Sequence, residues 1–246
     1  MSTPEKLYEG KAKIIYPTDD HEILLAYFKD DATAFNAQKR GTIQGKGEIN
    51  NAISSHLFQC LEAKGVPTHY IDCPTPNEMR VKRVKIVPIE VIVRNIAAGS
   101  LCKQTGIPAG TIIEPTLVEF CYKNDELGDP LLTRERLLLM KLATPEQLEK
   151  ITQLSLKINQ ILSEFFNECG ITLVDFKLEF GMTSEGQLVL ADEISPDTCR
   201  LWDQSETDPD RRVLDKDRFR RDLGNVEYGY QQVLKRVLEH TSNPSE

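Results

Sequence analysis

Charged and apolar residues alternate along residues 174–181, the part of the sequence best suited to chemistry. Alternate residues of a strand share one face, so Asp175, Lys177 and Glu179 would form a row with a spacing of about 7 Å, opposite an apolar face. Such a row is typical of a solvent-exposed strand or of a site where charged groups act together. The segment by itself does not decide between the two interpretations.

A further carboxylate follows in the next predicted strand. If residues 184–187 form a four-residue hairpin turn, Asp192 lies directly opposite Glu179. Two carboxylates that face each other across a ladder destabilise it unless a cation lies between them. Magnesium is the natural cation, because it takes one or two protein carboxylates and completes its shell with phosphate oxygens and water. The spacing therefore predicts a metal site at Glu179 and Asp192.

Residues 87–100 combine an apolar strand face with groups suited to phosphate. Glu90 and Arg94 fall on the opposite face, and a turn of small residues then ends at Gly99 and Ser100. An arginine donates a fork of hydrogen bonds to phosphate, and a glycine lets a ligand approach the backbone. Taken alone, the segment fits a surface Glu–Arg pair better.

A predicted hairpin near the N-terminus carries two lysines. The turn at Glu9 and Gly10 places Lys11 and Lys13 on one face, where their ammonium groups could lie over a polyphosphate. Basic hairpins are also common on surfaces, and the pattern alone favours that interpretation. The glycine-rich residues 41–47 are one residue short of the Walker spacing and lack its hydroxyl group, which predicts a mobile loop.

The hydrophobic periodicity predicts an α+β fold that opens with a small sheet. The clearest helix begins after a Thr144 N-cap with Gln147 in a capping box and ends at Gly170. The other predicted elements are strands within residues 6–16, 23–29, 84–94 and 171–194, helices at residues 48–64 and 226–240, and a free tail at residues 241–246. Residues 74–76 and 82–83 predict a joint between an N-terminal lobe of residues 1–84 and a C-terminal lobe of residues 85–246.

The composition excludes several functional classes. The chain of 246 residues is 40% hydrophobic and 28% charged, the balance of a folded protein. Its net charge of −8 argues against a general binder of nucleic acid or anionic membranes. No apolar run approaches the roughly 18 residues of a membrane span, and the N-terminus lacks the apolar core of a secretory signal, so a cytoplasmic location is expected. The six cysteines show no metal-binding spacing and are predicted to be reduced packing residues.

Two of these segments together resemble the signature patterns of the SAICAR synthetases, the phosphoribosylaminoimidazole-succinocarboxamide synthases. The patterns are Pro88-x-Glu90-x-x-x-Arg94-x-x-x-Ala98-Gly99-Ser100 and Asp175-x-Lys177-x-Glu179-x-Gly181. The likeness extends to residues 6–11, 192–197, 200–203 and 215–220, and thus to nearly the whole chain, whose length fits the compact bacterial form of the family.

The resemblance implies an ATP-dependent carbon–nitrogen ligase of de novo purine synthesis. Such enzymes join a carboxylated aminoimidazole ribonucleotide (CAIR) to L-aspartate, with magnesium as cofactor, and release SAICAR, ADP and phosphate. The implied fold is a two-lobed α+β structure related to protein kinases and ATP-grasp enzymes, in which a small β-rich N-terminal lobe covers ATP and the larger lobe carries substrate and metal. The implied assembly is a homodimer without a nucleic-acid or membrane partner.

The resemblance also implies roles for individual residues. The implied ATP-binding residues are Lys11, Lys13, Lys82, Val84, Lys123 and Glu179. The implied CAIR-binding residues are Glu90, Arg94, Ser100, Lys177 and Arg200. The implied magnesium ligands are Glu179 and Asp192, with Asp175 close by, and Glu90 for a second ion. The implied catalytic residues are Lys11, Lys13, Lys177, Glu179 and Asp192, whereas no aspartate subsite is assigned.

Two other classes of function share part of this chemistry. A kinase-like phosphotransferase would use similar lysines and carboxylates, but the H-R-D-x-x-x-x-N catalytic loop does not occur, and Asp175 precedes Phe-Lys rather than Phe-Gly. A non-catalytic nucleotide-binding module is the third alternative, which ATP binding without turnover would indicate.

Overall fold

A computed structural model describes residues 5–34 and 38–242, which form a mixture of strands and helices. The strands are β1 (Tyr8–Glu9), β2 (Lys13–Pro17), β3 (Ile23–Phe28), β4 (Asp31–Ala34), β5 (Lys39–Thr42), β6 (Tyr70–Thr75), β7 (Glu78–Lys82), β8 (Lys85–Ile96), β9 (Ile112–Tyr122), β10 (Leu131–Leu132), β11 (Ile171–Met182), β12 (Leu188–Leu190) and β13 (Cys199–Asp203). The helices are α1 (Lys46–Ala63), α2 (Gly99–Thr105), α3 (Arg134–Leu139), α4 (Pro145–Glu168), α5 (Asp217–Arg220) and α6 (Val226–Ser242). This mixture confirms the predicted α+β class.

The first sheet has the strand order β1-β2-β3-β7-β6. β1 and β2 form the predicted hairpin, whose turn is closed by a hydrogen bond of 2.8 Å from the Gly10 N–H to the Lys13 carbonyl. Residues 74–76, predicted as part of a joint, instead lead into the β6–β7 turn of this sheet, where Thr75 pairs with Glu78. The chain passes to the second sheet only after β7.

The second sheet has the order β10-β9-β8-β11-β12, and β13 pairs with the first part of β11. β8 and β11 are antiparallel neighbours, with Arg94 opposite Asp175 and Glu90 opposite Glu179. The apolar faces of both strands pack with α4 in the core, as their alternation predicted. The charged row of β11 therefore lies on the face away from α4, where Asp175 and Glu179 are nevertheless buried.

The predicted pairing of Asp192 with Glu179 is wrong by one residue. The N–H of Ala191, not that of Asp192, donates to the Glu179 carbonyl, at 2.9 Å. The turn between β11 and β12 has five residues rather than four and is closed by a hydrogen bond of 2.9 Å from the Thr183 N–H to the Gln187 carbonyl. Since β12 ends before Asp192, the ladder does not set the two carboxylates opposite each other.

The longest helix, α4, begins as predicted. The Thr144 hydroxyl accepts from the Gln147 N–H at 3.2 Å, and the Gln147 side chain accepts from the Thr144 N–H at 2.9 Å, which completes the capping box. α1 starts two residues before its predicted start, and α6 runs two residues into the predicted tail, whose residues 243–246 lie outside the described residues. Among the described residues no helix is both long and apolar enough to span a membrane.

Only the ends of the glycine-rich residues 41–47, predicted as a mobile loop, belong to regular structure. Gly41 and Thr42 complete β5, which pairs with β4, residues 43–45 form a turn, and α1 begins at Lys46. The Asp30 carboxylate accepts the N–H groups of Gly45 and Gly47 at 3.0 and 2.9 Å. A side chain at position 47 would place its Cβ 2.3 Å from the Phe28 carbonyl oxygen, so the close approach of two backbone segments requires this glycine.

Candidate active site

A cavity of about 610 Å³, which we call the large cavity, lies between the first sheet and the charged face of β11. The β1–β2 turn contributes Lys11 and Lys13, and β11 contributes Lys177 and Glu179. Further charged lining residues are Glu90, Lys123, Asp125, Asp129, Asp192, Glu193, Asp197, Lys216 and Arg220. Groups from both sheets thus meet in one polar space, although they are distant in sequence.

Six side chains form what we call the lysine–carboxylate cluster, namely Lys13, Lys123, Lys177, Glu179, Asp192 and Glu193. Lys177 Nζ lies 2.7 Å from Glu179 Oε1 and 2.6 Å from Asp192 Oδ2. Lys123 donates to the other oxygen of Glu179, and Lys13 donates to both Asp192 and Glu193. The cluster therefore joins β2 of the first sheet to β11 and to the segment after β12.

Burial and neighbouring charges shift the pKa values of four members of the cluster. Burial opposes the charged forms of Lys13 and Lys177, but Asp192 and the neighbouring glutamates raise the pKa of each lysine above its usual range. Burial likewise opposes ionisation of Asp192, yet Lys13 and Lys177 hold its pKa well below the usual range. Burial and the Asp192 charge together raise the pKa of Glu193 to about 7. The site thus holds buried charges of both signs that stabilise one another.

The donor chemistry of the cluster fits a magnesium ion. Glu179 and Asp192 both place an oxygen within hydrogen-bonding distance of the single Lys177 ammonium group, so their carboxylates already converge on one cationic position. The described residues contain no cluster of three or more His, Cys, Asp or Glu side chains arranged for a metal ion. Magnesium at a phosphate site needs fewer, because one or two protein carboxylates suffice when phosphate oxygens and water complete its shell.

A second cavity, of about 220 Å³, adjoins the first and brings together the predicted phosphate-binding groups. Arg94, Ser100 and Arg200 all line it, and Arg94 Nη2 lies 3.1 Å from Ser100 Oγ. Arg200 Nη2 packs so closely on Gly99 that a Cβ at that position would lie 2.3 Å from it. We call this space the arginine cavity; it shares Glu90, Lys177, Asp197, Thr198 and Arg220 with the larger one.

Asp175 was predicted to lie close to the metal, but its contacts are with arginines. Its Oδ2 accepts from Arg94 Nη1 at 3.0 Å and from Arg200 Nη1 at 2.8 Å, and its Oδ1 accepts from Arg200 at 3.0 Å. Glu90 lines both cavities, and its Oε1 lies 3.7 Å from the Lys177 ammonium group. Burial raises the pKa of Glu90.

The remaining predicted nucleotide-binding residues lie apart from the cluster. Lys11 donates to Asp125 at 2.7 Å at the rim of the large cavity. The Lys82 ammonium donates to the Thr68 carbonyl at 3.3 Å, and Val84 packs on Gly181, where a Cβ would lie 2.5 Å from the valine side chain. Lys82 and Val84 do not line the large cavity.

Several residues of the two cavities received no role from the sequence, although four of them lie in the segments 192–197 and 215–220 that share the family likeness. Glu193, Asp197, Lys216 and Arg220 line them, and Lys46 donates to Asp197 at 2.7 Å from a buried position. The adjacent Asp-Glu pair at 192–193 could have suggested Glu193. No spacing rule could have joined Lys46 to Asp197, because the two are brought together only by the packing of α1 on the second half of the chain.

The comparison with known proteins identifies the family. The SAICAR synthetase family matches residues 6–237. The chain belongs to the SAICAR synthetase family. The curated phosphoribosylaminoimidazole-succinocarboxamide synthase of Trichodesmium erythraeum (strain IMS101) is 70% identical over 240 residues, which are 98% of this chain and 99% of that protein. Family membership confirms the resemblance found in the two signature segments and the predicted enzyme class, a phosphoribosylaminoimidazole-succinocarboxamide synthase.

Solved structures of the family share the fold. The crystal structure of the synthase from Ehrlichia chaffeensis has a TM-score of 0.91 and 50% identity, and the match covers 95% of this chain and 98% of that one. A SAICAR synthetase in complex with ADP has a TM-score of 0.90 and 43% identity, with 96% of this chain and 98% of that one covered. The SAICAR-synthetase-like α+β fold is therefore confirmed.

Proposed function

We propose that this enzyme joins CAIR to L-aspartate, consumes ATP, and releases SAICAR, ADP and phosphate in de novo purine synthesis. The observation that carries the proposal is the junction of two cavities, one lined by the lysine–carboxylate cluster and the other by Arg94, Ser100 and Arg200. Because the cavities share Glu90 and Lys177, a nucleotide in the first and a phosphorylated ribonucleotide in the second would meet there. The relative with bound ADP supports the nucleotide part.

The reaction proceeds through an acyl phosphate, because a free carboxylate is a poor acyl donor. A carboxylate oxygen of CAIR attacks the γ-phosphorus of ATP, the bond from that phosphorus to the β,γ-bridging oxygen breaks, and ADP leaves. The amine of aspartate then attacks the carboxyl carbon, the carbon–oxygen bond to phosphate breaks, and the nitrogen loses a proton as inorganic phosphate leaves. The protein contributes by positioning the reactants, offsetting their charge and excluding water, so no nucleophilic serine or cysteine is required.

The residues of both cavities and their surroundings have separate roles in this scheme. Lys11, Lys13 and Lys123 hold the ATP phosphates. Adenine extends beyond the large cavity to the backbone of Lys82 and Val84, neither of which lines that cavity. Lys177 lies in both cavities and stabilises charge where the phosphoryl group moves. Arg94, Ser100 and Arg200 bind the phosphate of CAIR.

Glu179 and Asp192 would hold magnesium, and Glu90 would serve a second ion at the CAIR carboxylate. Bound magnesium would neutralise phosphate charge at this site. Since Asp175 is engaged by Arg94 and Arg200, we assign it to the arginine cavity rather than to the metal.

Three broader expectations stay predictions. The division into an ATP-covering lobe of residues 1–84 and a substrate lobe of residues 85–246 agrees with the change of sheet after β7. The homodimer and the cytoplasmic location follow from the resemblance and from the sequence, respectively.

The reaction is tested by measuring ADP formation with each substrate omitted in turn. We expect full turnover only with ATP, CAIR and aspartate together, whereas ADP formation at full rate without CAIR or aspartate would contradict the proposal. Glu179→Gln should lower kcat/KM about a hundredfold and raise the magnesium concentration needed for half-maximal rate. Glu185→Gln, in the exposed β11–β12 turn, is the matched control and should leave both quantities unchanged.

A further inference from the structure

Arginines and carboxylates alternate in a row of six side chains, four of which line the arginine cavity. In order of contact the members are Glu119, Arg94, Asp175, Arg200, Asp217 and Arg220. Each inner carboxylate joins two arginines, so the six charges balance and fix one another. The order of contacts could not be read from the sequence, because the six residues come from five elements, β8, β9, β11, β13 and α5.

Arg200 lies between Asp175 and Asp217 in this row and forms an ion pair with each. Its Nη1 donates to both oxygens of Asp175, and its Nε donates to Asp217 Oδ2 at 2.8 Å. Its Nη2 lies against Gly99, next to Ser100 in the cavity wall. Two carboxylates thus hold the Nε and Nη1 positions of the guanidinium group, and Nη2 is directed to the turn that lines the cavity.

Asp217 is itself fixed by the backbone. The buried Asp215 carboxylate accepts the Asp217 N–H at 2.8 Å through Oδ1 and the Leu201 N–H at 2.7 Å through Oδ2. Leu201 is the neighbour of Arg200 on β13, so Asp215 ties the start of α5 to the strand that carries the arginine. The second oxygen of Asp217 accepts from Arg220 Nη1 at 2.6 Å.

We propose that Asp217 is a positioning residue that holds Arg200 in the orientation needed to bind the CAIR phosphate. An arginine side chain has many rotamers, and a guanidinium group fixed beforehand loses less entropy when it binds an anion. Without the Asp217 carboxylate, Arg200 keeps Asp175 but loses the partner at Nε, and its fork can turn away from Gly99. This inference rests on the proposed function, because it takes CAIR as the ligand of the arginine cavity.

The test is the kinetics of Asp217→Asn with each substrate varied in turn. A charged hydrogen bond contributes about 1.5–3 kcal/mol, so we expect KM for CAIR to rise about tenfold or more. KM for ATP and kcat should change by less than about threefold, since the lysine–carboxylate cluster keeps its contacts and Asp217 reaches the large cavity through Arg220, at its boundary with the arginine cavity. Asp217→Glu retains the carboxylate and should recover part of the CAIR affinity. Equal losses for CAIR and ATP, or an unchanged KM for CAIR, would overturn the positioning role.

The matched control is Asp203→Asn, because Asp203 lies on β13, the strand that carries Arg200. Asp203 forms a two-bond ion pair with Arg236, and its side chain is 14% exposed, compared with 15% for Asp217. It does not line either cavity, so its loss should affect thermal stability but not KM for CAIR. A similar rise in KM in this variant would mean that any lost ion pair near β13 has the same effect, which would overturn a specific role for Asp217.

A double-mutant cycle asks whether Asp217 acts through Arg200. Arg200→Lys removes the Nε donor, so adding Asp217→Asn to it should raise KM for CAIR by less than about threefold. An undiminished effect of Asp217→Asn in that background would overturn the proposal. A wild-type enzyme that does not use CAIR would instead contradict the proposed function, and the wild-type assay separates the two failures.

Discussion

Gly99 illustrates how one residue can limit the shape of a binding site. It has φ +57, and its missing Cβ leaves the space that Arg200 Nη2 occupies. Two physical requirements therefore meet at one position, a left-handed backbone and room for a guanidinium group. The sequence pattern suggested Gly99 as a place where a ligand approaches the backbone, whereas only the fold reveals these two requirements.

Gly99→Ala should weaken CAIR binding specifically. The new methyl group would displace Arg200, so we expect KM for CAIR to rise about tenfold or more, because a charged hydrogen bond is lost. Gly106→Ala is the matched control, because Gly106 also has a positive φ of 75° but has no neighbour within 4 Å of the added Cβ. Both variants should lose about 1 kcal/mol of unfolding free energy from the backbone, measured by urea titration. Equal KM values in the two variants would contradict the role of the Gly99 contact.

A strand pattern shows which side chains share a face but not what they contact, and this limits what the sequence predicts about single side chains. The two-residue period of β11 predicted correctly that Asp175, Lys177 and Glu179 share a face. It could not predict their partners, because Arg94 on β8 and Lys123, directly after β9, are far away in the chain. As a result Asp175 was expected near a metal, whereas its oxygens contact two arginines.

At the scale of elements, local signals predicted helices better than strand register. The capping box at Thr144 and Gln147 fixes the start of α4 within one turn, so the sequence contains the whole signal. The register of β12 depends on whether its turn has four or five residues, and the residues of that turn fit both lengths. One extra residue moved Asp192 out of the ladder, yet it still reaches Lys177 because the chain bends after β12.

The attachment of α1 makes a prediction about stability. Lys46 is buried at the start of this helix, and its ammonium group donates to Asp197 Oδ2. The other carboxylate oxygen of Asp197 accepts from the Tyr230 hydroxyl, on α6, at 2.6 Å. Lys46→Met leaves Asp197 buried with less compensation, so the unfolding free energy should fall by about 3 kcal/mol in urea titrations. Lys64→Met, at the other end of α1, removes an ammonium group from an exposed pair and should cost less than about 0.5 kcal/mol. A loss below about 1 kcal/mol in Lys46→Met would contradict the anchoring role.

At the scale of the whole molecule, the net charge of −8 conceals how the charges are distributed, because many basic side chains lie among carboxylates at one place. The lysines and arginines converge on two joined cavities, where buried carboxylates hold most of them in place. A protein with an acidic average can therefore bind three anionic substrates at one site. The charge total excluded a broad basic surface, but it carried no information about a pocket.

Buried carboxylates also give the molecule an unusual pH dependence. Burial, and then the neighbouring Asp217 charge, raise the pKa of Asp215 to about 7, whereas an unfolded aspartate has a pKa of about 4. Between these values the folded state keeps a proton that the unfolded state has released. The contribution of Asp215 to stability is therefore complete below about pH 4, is lost as the pH rises towards 7, and stays constant above that. His69, whose pKa burial lowers to about 3, gives the opposite slope below about pH 6.5.

The comparison of wild type with Asp215→Asn separates these effects, because His69 is common to both. We expect the difference in unfolding free energy, wild type minus variant, to decrease between pH 4 and 7 by about 1.4 kcal/mol for each unit of the Asp215 pKa shift that is realised. Asp208→Asn is the control: its backbone hydrogen bonds lower the pKa of Asp208, so its contribution changes only below about pH 4. Urea titrations at several pH values measure both differences. A difference for Asp215→Asn that is flat or rises between pH 4 and 7 would mean that this carboxylate is already ionised at pH 4, with Arg200 outweighing the effect of burial.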